Sequence, residues 1–188
     1  MILNNFFDKF IFTSQLKFKD YNFTVLDIPF VIVPTEVLIG FSEFDDPTIN
    51  KAIYYAFKKS SQKNLFPKFK VGATKTKFLD LVETFFAASG WGLPTNIQVD
   101  ETNHRAVVVV SHSPLAKHLQ GRVKNPVDHY YRAILAAAFS EYFGSNVECV
   151  ESDCRALHPG DCTFLLKPLK EFDFTKEVTQ RQLSLESV

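Results

Sequence analysis

Residues 149–162 read CVESDCRALHPGDC and hold all three cysteines of the chain. Within this stretch Pro159-Gly160 is a turn signal, because proline fixes its φ angle and glycine adopts positive φ without strain. The segments NVECVE and CTFLLKPL on either side are apolar and β-branched, which is typical of strands. The stretch therefore predicts a hairpin whose turn brings Cys154 and Cys162 together.

One acid and two cysteines of this hairpin, Glu151, Cys154 and Cys162, have the spacing E-x2-C-x7-C. In a reducing compartment, two thiolates that face each other across a turn are good zinc ligands. Two thiols under a hairpin are also small apolar core groups, and a third possibility is a redox-active pair. The spacing by itself leaves these three chemistries open.

The length and composition of the chain limit the class of protein. With 188 residues the chain is long enough for one compact domain, which can form its core without disulfides. The 21 basic and 21 acidic side chains balance, which disfavours a nucleic-acid binder. No apolar run is long enough for a transmembrane helix, and MILNNFFDKF lacks the features of a signal peptide. We therefore expect a cytoplasmic protein without a membrane span, in which thiols stay reduced.

The first half of the chain predicts strands followed by two helices. The segments KFIF, QLKFK and YNFTVLDIPFVIV predict a β-meander within residues 1–33. Asp46 and Pro47 have the residue types of an N-cap and a first helical position. A second helix over TKTKFLDLVETFFAASG ends at Gly90. The first helix has an apolar face that we expect to be buried, formed by Ile49, Ala52, Ile53, Ala56 and Phe57.

The second half predicts two hairpins separated by a long helix. The segment TNIQVDETNHRAVVVVSHS is a hairpin whose second strand is almost fully apolar and is expected to be covered on both faces. The long helix begins at Asn125-Pro126 and ends at Gly144, and the cysteine hairpin follows. This order predicts an α+β fold, an antiparallel sheet with helices packed on one face. We divide the chain into the meander, packed on a main domain of residues 34–170, and a tail of residues 171–188 that contains a short helix or frays.

The segment NVECVESDCRALHPGDCTFLLKP resembles the end of a 4-vinyl reductase domain, a family also described as hydrocarbon-binding. The family signature is a strand, an acid, a Cys, a Gly-Asp turn, then Cys-x-Phe and another strand. The matching residues are Glu151, Cys154, Gly160, Asp161, Cys162 and Phe164. The resemblance implies the NO-signalling–Golgi-transport ligand-binding fold, which the family shares with TRAPP vesicle-tethering subunits and haem nitric-oxide-binding domains.

The resemblance also implies a zinc ion held by Glu151, Cys154 and Cys162, with a further ligand from the start of the long helix. Relatives have Cys at that place, whereas this chain has Asp128-His129. A neutral imidazole suits zinc better than a second carboxylate, so we predict His129 as the fourth ligand and Asp128 as a helix-capping residue. A shell of four protein ligands is closed, which makes the zinc structural. The alternatives left open for the fourth ligand are Asp128, His158 and Cys149.

Domains of this family are similar to one another in holding small hydrophobic molecules between their helices and their sheet. The candidate lining residues in this chain are Phe78, Val82, Phe85, Phe86, Trp91, Val108, Val110 and Tyr131. An ordinary packed core contains the same kinds of residues, so this second interpretation stays open.

The function that the resemblance implies is a sensor or carrier domain for a small hydrophobic ligand, with structural zinc and a homodimeric assembly. We favour a binding role over an enzymatic one. The first alternative is a reductase of a vinyl group on a tetrapyrrole, the activity that named the family, although the sequence has no Gly-rich dinucleotide fingerprint. The second alternative is a protein-interaction scaffold with a solid core, as in the TRAPP subunits; an open apolar cavity would favour binding.

Overall fold

The computed structural model of this chain describes residues 16–25, 27–70 and 74–184, and leaves out the side chains of residues 69 and 70. These residues form a small three-stranded sheet and a larger four-stranded sheet, both antiparallel, together with helices. The strand predicted for KFIF, at positions 9–12, lies outside the described residues.

The small sheet is a meander of β1 (Leu16–Lys19), β2 (Asn22–Val25) and β3 (Ile28–Phe30) in that order. The run YNFTVLDIPFVIV, in which Pro29 suggests an edge or an interruption, forms two strands separated by a turn in which Asp27 has a φ of 58°, and Pro29 itself lies within β3. Aspartate tolerates this left-handed conformation better than β-branched residues do, which explains why the chain reverses here.

The helices lie mostly between the two sheets in the sequence. Counted along the chain, the second, fourth and sixth helices correspond to the three helices predicted from the sequence. The first, third and fifth helices are short and were not predicted. The fifth begins with Ser113 as its N-cap and Pro114 at its first position, so the motif that identifies it is present in the sequence. The bounds are α1 (Thr35–Ser42), α2 (Pro47–Asn64), α3 (Phe66–Lys70), α4 (Lys75–Ala88), α5 (Pro114–His118), α6 (His129–Phe143) and α7 (Glu177–Gln182).

The large sheet has the strand order β4-β5-β7-β6. Its strands are β4 (Leu93–Asp100), β5 (Arg105–Ser111), β6 (Glu148–Asp153) and β7 (Cys162–Lys167). Burial alternates along β5, so one face of this central strand is fully covered and the other is half open. The prediction that β5 is covered on both faces was therefore wrong. Helices α4 and α6 contact the sheet, which confirms the predicted α+β fold.

Helix α6 is the central element of the core. All of its residues except Glu141 and Phe143 are buried, and it ends where Gly144 adopts a φ of 65°, as predicted. Its start differs from the prediction, because residues 126–128 are not helical and Asp128 is the N-cap residue. The side chain of Asp128 makes no capping hydrogen bond and is directed elsewhere.

Helix α2 buries a different face from the one that its apolar pattern predicts. Ile49 and Phe57 are 37% and 39% exposed. The face turned to the core is polar and aromatic, and its buried residues are Asn50, Tyr54, Lys58 and Ser61. Tyr54 and Lys58 bind a carboxylate on β6, and these contacts decide which side of the helix is turned inward.

The segment from β7 to residue 184 packs back onto the body. A 3-10 turn (Leu169–Glu171) and helix α7 follow β7, and Phe172, Gln182 and Leu183 are buried. The Gln182 side chain donates to the Glu151 carbonyl and accepts from the Glu151 N–H, both at 2.9 Å. It thereby satisfies backbone groups at the open edge of β6. None of the helices within the described ranges is long and apolar enough to cross a bilayer.

Candidate functional site

The hairpin of β6 and β7 brings together Glu151, Cys154 and Cys162. Glu151 lies within β6, Cys154 directly follows it, and Cys162 is the first residue of β7. A bulge between Glu151 and Asp153 interrupts the pairing and changes the direction of the side chains beyond it. One potential ligand atom from each of the three residues lies within 4.8 Å of the others, and all three residues are buried.

Backbone N–H groups in the turn of the hairpin are directed at the sulfur atoms. The N–H of Arg155 donates to Cys162 Sγ at 3.4 Å, and the N–H of Ala156 bonds to Cys154. The two thiols lie close to each other, so the Cys162 thiol lowers the pKa of Cys154 and Cys154 raises the pKa of Cys162. Such N–H contacts stabilise thiolates, the form of cysteine that binds metals.

Asp128 joins this cluster from the end of the segment that precedes α6. Its backbone N–H donates to Glu151 Oε2 at 3.0 Å, and Ser113 Oγ donates to Asp128 Oδ1 at 2.9 Å. The Asp128 carboxyl lies against the Cys162 thiol, and burial raises the pKa of this carboxyl to about 6. Burial, followed by the charge of Asp128, raises the pKa of Glu151. Two carboxyls and two thiols thus share a buried space.

Two oxygen atoms of this cluster have no regular hydrogen bond. Glu151 Oε1 and Asp128 Oδ2 are buried, no described group donates a well-formed hydrogen bond to them, and the Cys154 and Cys162 thiols lie beside the two carboxyls. A buried acceptor without a donor costs about 1–3 kcal/mol, so such atoms indicate a ligand that is bound there in use. Sulfur and carboxylate oxygen are zinc ligands, and three ligand atoms within 4.8 Å of one another are close enough to surround one ion. The residues present therefore fit a zinc ion.

The other candidate ligands lie apart from this cluster. The His129 ring is buried, its Nδ1 atom lies 3.3 Å from an amino nitrogen of Arg132, and it lines a polar pocket. Burial lowers the pKa of His129 well below its usual value. Cys149 is buried beside Tyr54 and Arg132, and His158 is exposed in the turn. The structure thus assembles three of the four predicted ligands and places the imidazole of His129 elsewhere.

The residues predicted to line a hydrophobic site are buried in one core, with Trp91 only half-buried. Tyr131 on α6 is the point where they meet. Its ring stacks on Phe86 of α4 at 4.4 Å and on Phe164 of β7 at 5.1 Å. The hydroxyl group of Tyr131 is buried and has no hydrogen-bonding partner among the described residues.

A buried polar network on the other side of α6 was not predicted. Glu148 on β6 accepts from Lys58 Nζ and from the Tyr54 hydroxyl, both at 2.6 Å, and Tyr54 accepts from the Cys149 N–H at 2.9 Å. The Arg132 guanidinium lies 4.5 Å from the centre of the Tyr54 ring. The spacing of Asn50, Tyr54, Lys58 and Ser61 at every third or fourth position is the signal from which this face could have been identified.

The model of the 4-vinyl reductase domain family matches residues 106–168. The matched segment runs from β5 to the end of β7 and contains the cysteine hairpin and α6. This match confirms the resemblance found in the sequence. No curated protein matches this chain.

Two solved structures are similar to this chain. The first is the crystal structure of the phenol-responsive sensory domain of the transcription activator PoxR with phenol. It has a TM-score of 0.71 and 14% identity, and the alignment covers 97% of this chain and 96% of that chain. At this identity the likeness concerns the fold alone. The second is a trafficking protein particle complex subunit 3 from Naegleria fowleri covalently bound to palmitic acid, with a TM-score of 0.46 and 16% identity over 71% of this chain and 88% of that chain.

Proposed function

We propose that this chain is a small-molecule-binding sensor domain in which a structural zinc ion joins the terminal hairpin to the start of α6. The observation that carries the proposal is that nearly the whole chain has the fold of a phenol-responsive sensory domain, with a 4-vinyl reductase family match over the cysteine hairpin. The buried cluster of acids and thiols supports the metal, and the aromatic surroundings of Tyr131 support an apolar ligand.

The proposed zinc ligands are Glu151, Cys154, Cys162 and the carboxylate of Asp128 in place of the expected His129. Support for Asp128 comes from its unpartnered Oδ2 atom and its contact with the Cys162 thiol. Four protein ligands close the shell, so the ion would connect elements rather than activate water. When bound, zinc supplies the positive charge that lets these four buried groups be anionic together.

Replacing Asp128 with alanine is expected to weaken zinc binding by at least about 10–100-fold, the loss that already follows from removing a group that only supports a ligand, because here one of the four ligands itself is lost. His129→Ala is the matched control, since the two positions are adjacent and both buried. Competition with a chromophoric chelator measures the affinity of each variant. If His129→Ala loses zinc and Asp128→Ala binds it with unchanged affinity, His129 is the fourth ligand and the proposal of Asp128 is wrong.

The proposed ligand site is the aromatic interior around Tyr131, where an unpartnered hydroxyl is available to a bound molecule. In ligand-free protein, Tyr131→Phe is expected to raise the free energy of unfolding by about 1 kcal/mol, because it removes a buried polar group that has no partner. Tyr54→Phe is the matched control, and it should lower that free energy, because its hydroxyl makes two buried hydrogen bonds. Thermal unfolding of both variants measures the two changes in stability. If Tyr131→Phe lowers the free energy of unfolding as much as Tyr54→Phe does, the Tyr131 hydroxyl has a hydrogen-bonding partner and the prediction is wrong.

Native mass spectrometry of protein purified from its own cells, with elemental analysis, tests the proposed function as a whole. We expect one zinc per chain and an additional mass that corresponds to a small apolar molecule. Protein that carries zinc and no ligand, with a solid interior, would favour the scaffold alternative. Turnover of a vinyl-bearing pigment with a reduced nicotinamide cofactor would instead favour the reductase.

The proposal includes a homodimer formed through the apolar surface of the linker after β3 and of α1. Large apolar side chains on this surface are exposed to an extent that is unusual for a monomer, among them Val31 and Ile32 at 84% each and Phe44 at 64%. Ile32→Asp is expected to convert the dimer into a monomer in sedimentation experiments. Thr102→Asp, in the exposed β4–β5 turn, is the control; two variants that sediment alike would contradict this interface.

A further inference from the structure

A second, polar pocket lies on the side of α6 that faces the C-terminal helix. It has a volume of about 440 Å³ and is enclosed by the start of α2, the segment before α6, the end of β6 and helix α7. The aromatic interior around Tyr131 does not contribute to it. Its size is sufficient for a small metabolite, and its walls carry hydrogen-bonding and charged groups.

Two buried side chains present unused hydrogen-bonding atoms to this pocket. Asn50 is 5% exposed, and its Oδ1 atom has no partner among the described residues. His129 is 3% exposed, and its Nδ1 atom faces Arg132, whose guanidinium only donates. A ring nitrogen that faces this donor accepts, which leaves Nε2 as the ring nitrogen that can donate to a bound molecule. The pocket thus has a donor and an acceptor that a ligand can use.

The charges around the pocket favour an anion at its inner end. Arg132 lies directly behind His129, is fully buried, and donates to the backbone carbonyls of Cys149 and Gln182; no described carboxylate is bonded to it. A buried positive charge that is not bonded to a carboxylate favours a bound anion nearby.

The remaining charged groups at the pocket are at its entrance. Asp45 is occupied, because it accepts from Arg181 at 2.9 Å and from the Asn125 amide at 2.9 Å to each oxygen. Arg181 donates both of its hydrogen bonds to Asp45 from one terminal nitrogen, so its other N–H groups can donate to a ligand. Lys124 and Glu177 are exposed and oppose each other in charge. The buried guanidinium of Arg132 and the side chain of Arg181 are therefore the positive groups that can attract an anion to this pocket.

We infer that this pocket is a second ligand site, which binds a small carboxylic acid carrying one further hydrogen-bond donor. The carboxylate accepts from His129 Nε2 and from Arg181, and the donor of the ligand reaches Asn50 Oδ1. Such a ligand bridges α6 and α7, and so holds the C-terminal helix against the edge of β6, where Gln182 already pairs with Glu151. Binding of the ligand therefore stabilises the packing of α7 against β6.

Isothermal titration of the full-length protein with 3-hydroxybutyrate and N-acetylglycine tests this site. Each probe is compared with its primary amide, which has the same shape without the charge. We expect at least one acid to bind, and its amide to bind at least about ten-fold more weakly, because a charge-assisted pair is lost. Equal affinities for acid and amide, or no binding of either acid at about 10 mM, would overturn the inference.

Two variants localise the binding. Asn50→Asp places a negative charge beside the carboxylate, and Arg181→Gln removes a donor; each is expected to weaken binding by about ten-fold or more. Arg105→Gln is the matched control, since Arg105 also pairs with a single acid, Glu171, far from the pocket. If Asn50→Asp does not fold, Arg181→Gln still tests the site, because Arg181 is at a half-exposed position where the substitution is tolerated. Unchanged affinity in Arg181→Gln would place the acid elsewhere and contradict the site.

Discussion

Replacing either Cys154 or Cys162 with alanine is expected to release zinc and to lower the free energy of unfolding by about 3–5 kcal/mol. For a chain of this length, such a loss corresponds to a decrease in Tm of roughly 6–20 °C. The reason is that the remaining thiol and two carboxyls would stay buried without the cation that neutralises them. Zinc content by elemental analysis and Tm by differential scanning calorimetry measure the two effects.

Cys149→Ala provides the control for these two variants. Cys149 is as buried as the other two cysteines and lies two positions from Glu151, but it is on the side of Tyr54 and Arg132. Its replacement should leave the zinc content at one per chain and cause only the small loss that follows from removing a buried sulfur. Unchanged melting curves in Cys154→Ala and Cys162→Ala would contradict a metal that joins the hairpin to α6.

Replacing Glu148 with alanine is expected to lower the free energy of unfolding by about 3–5 kcal/mol, because it leaves a buried ammonium group unpaired. The Lys58 and Glu148 side chains are each only 5% exposed, and their charged atoms are 2.6 Å apart. The Tyr54 hydroxyl also loses its acceptor. Denaturant unfolding of the variant measures this loss.

The pH dependence of the Glu148→Ala variant gives a second measurement. Burial lowers the pKa of Lys58 from its usual 10.5, and Glu148 opposes this effect. Without Glu148 the folded protein holds this proton less tightly than the unfolded chain does, so stability should rise as the pH is raised toward 10.5. The double variant Lys58→Met, Glu148→Leu should recover most of the loss, since it removes both charges together. A double variant as unstable as Glu148→Ala would show that the pair is not the source of the effect.

The structure relates the two proposed ligand sites to the buried cluster of acids and thiols through α6. Asp128 at its start faces the cysteines, His129 faces the polar pocket, and Tyr131 faces the aromatic interior. Three side chains within four residues thus contact three different environments, because successive residues of a helix point about 100° apart. A zinc ion that fixes the start of α6 would therefore also fix the positions of His129 and Tyr131.

Comparison of α2 with α4 shows where sequence patterns succeed and where they fail. In α4 the predicted apolar face is the buried one, because this helix packs on an apolar sheet and other aromatic rings. In α2 the apolar face is partly exposed, because Tyr54 and Lys58 find a buried carboxylate on β6. Hydrophobic periodicity predicts burial only where the opposite surface is also apolar.

The amino-acid sequence by itself determined the cysteine hairpin, the helices that begin with Asp-Pro or end with Gly, and the α+β order of elements. These features depend on local backbone preferences and on contacts between residues close in the chain, such as Cys154 and Cys162 with seven residues between them. Only the tertiary structure decided that Asp128 faces the thiols, that α2 turns its polar side inward, and that a pocket forms under α7. Each of these depends on partners far apart in the chain, as Tyr54 and Glu148 are at a separation of 94 residues, and no local pattern encodes such a pairing.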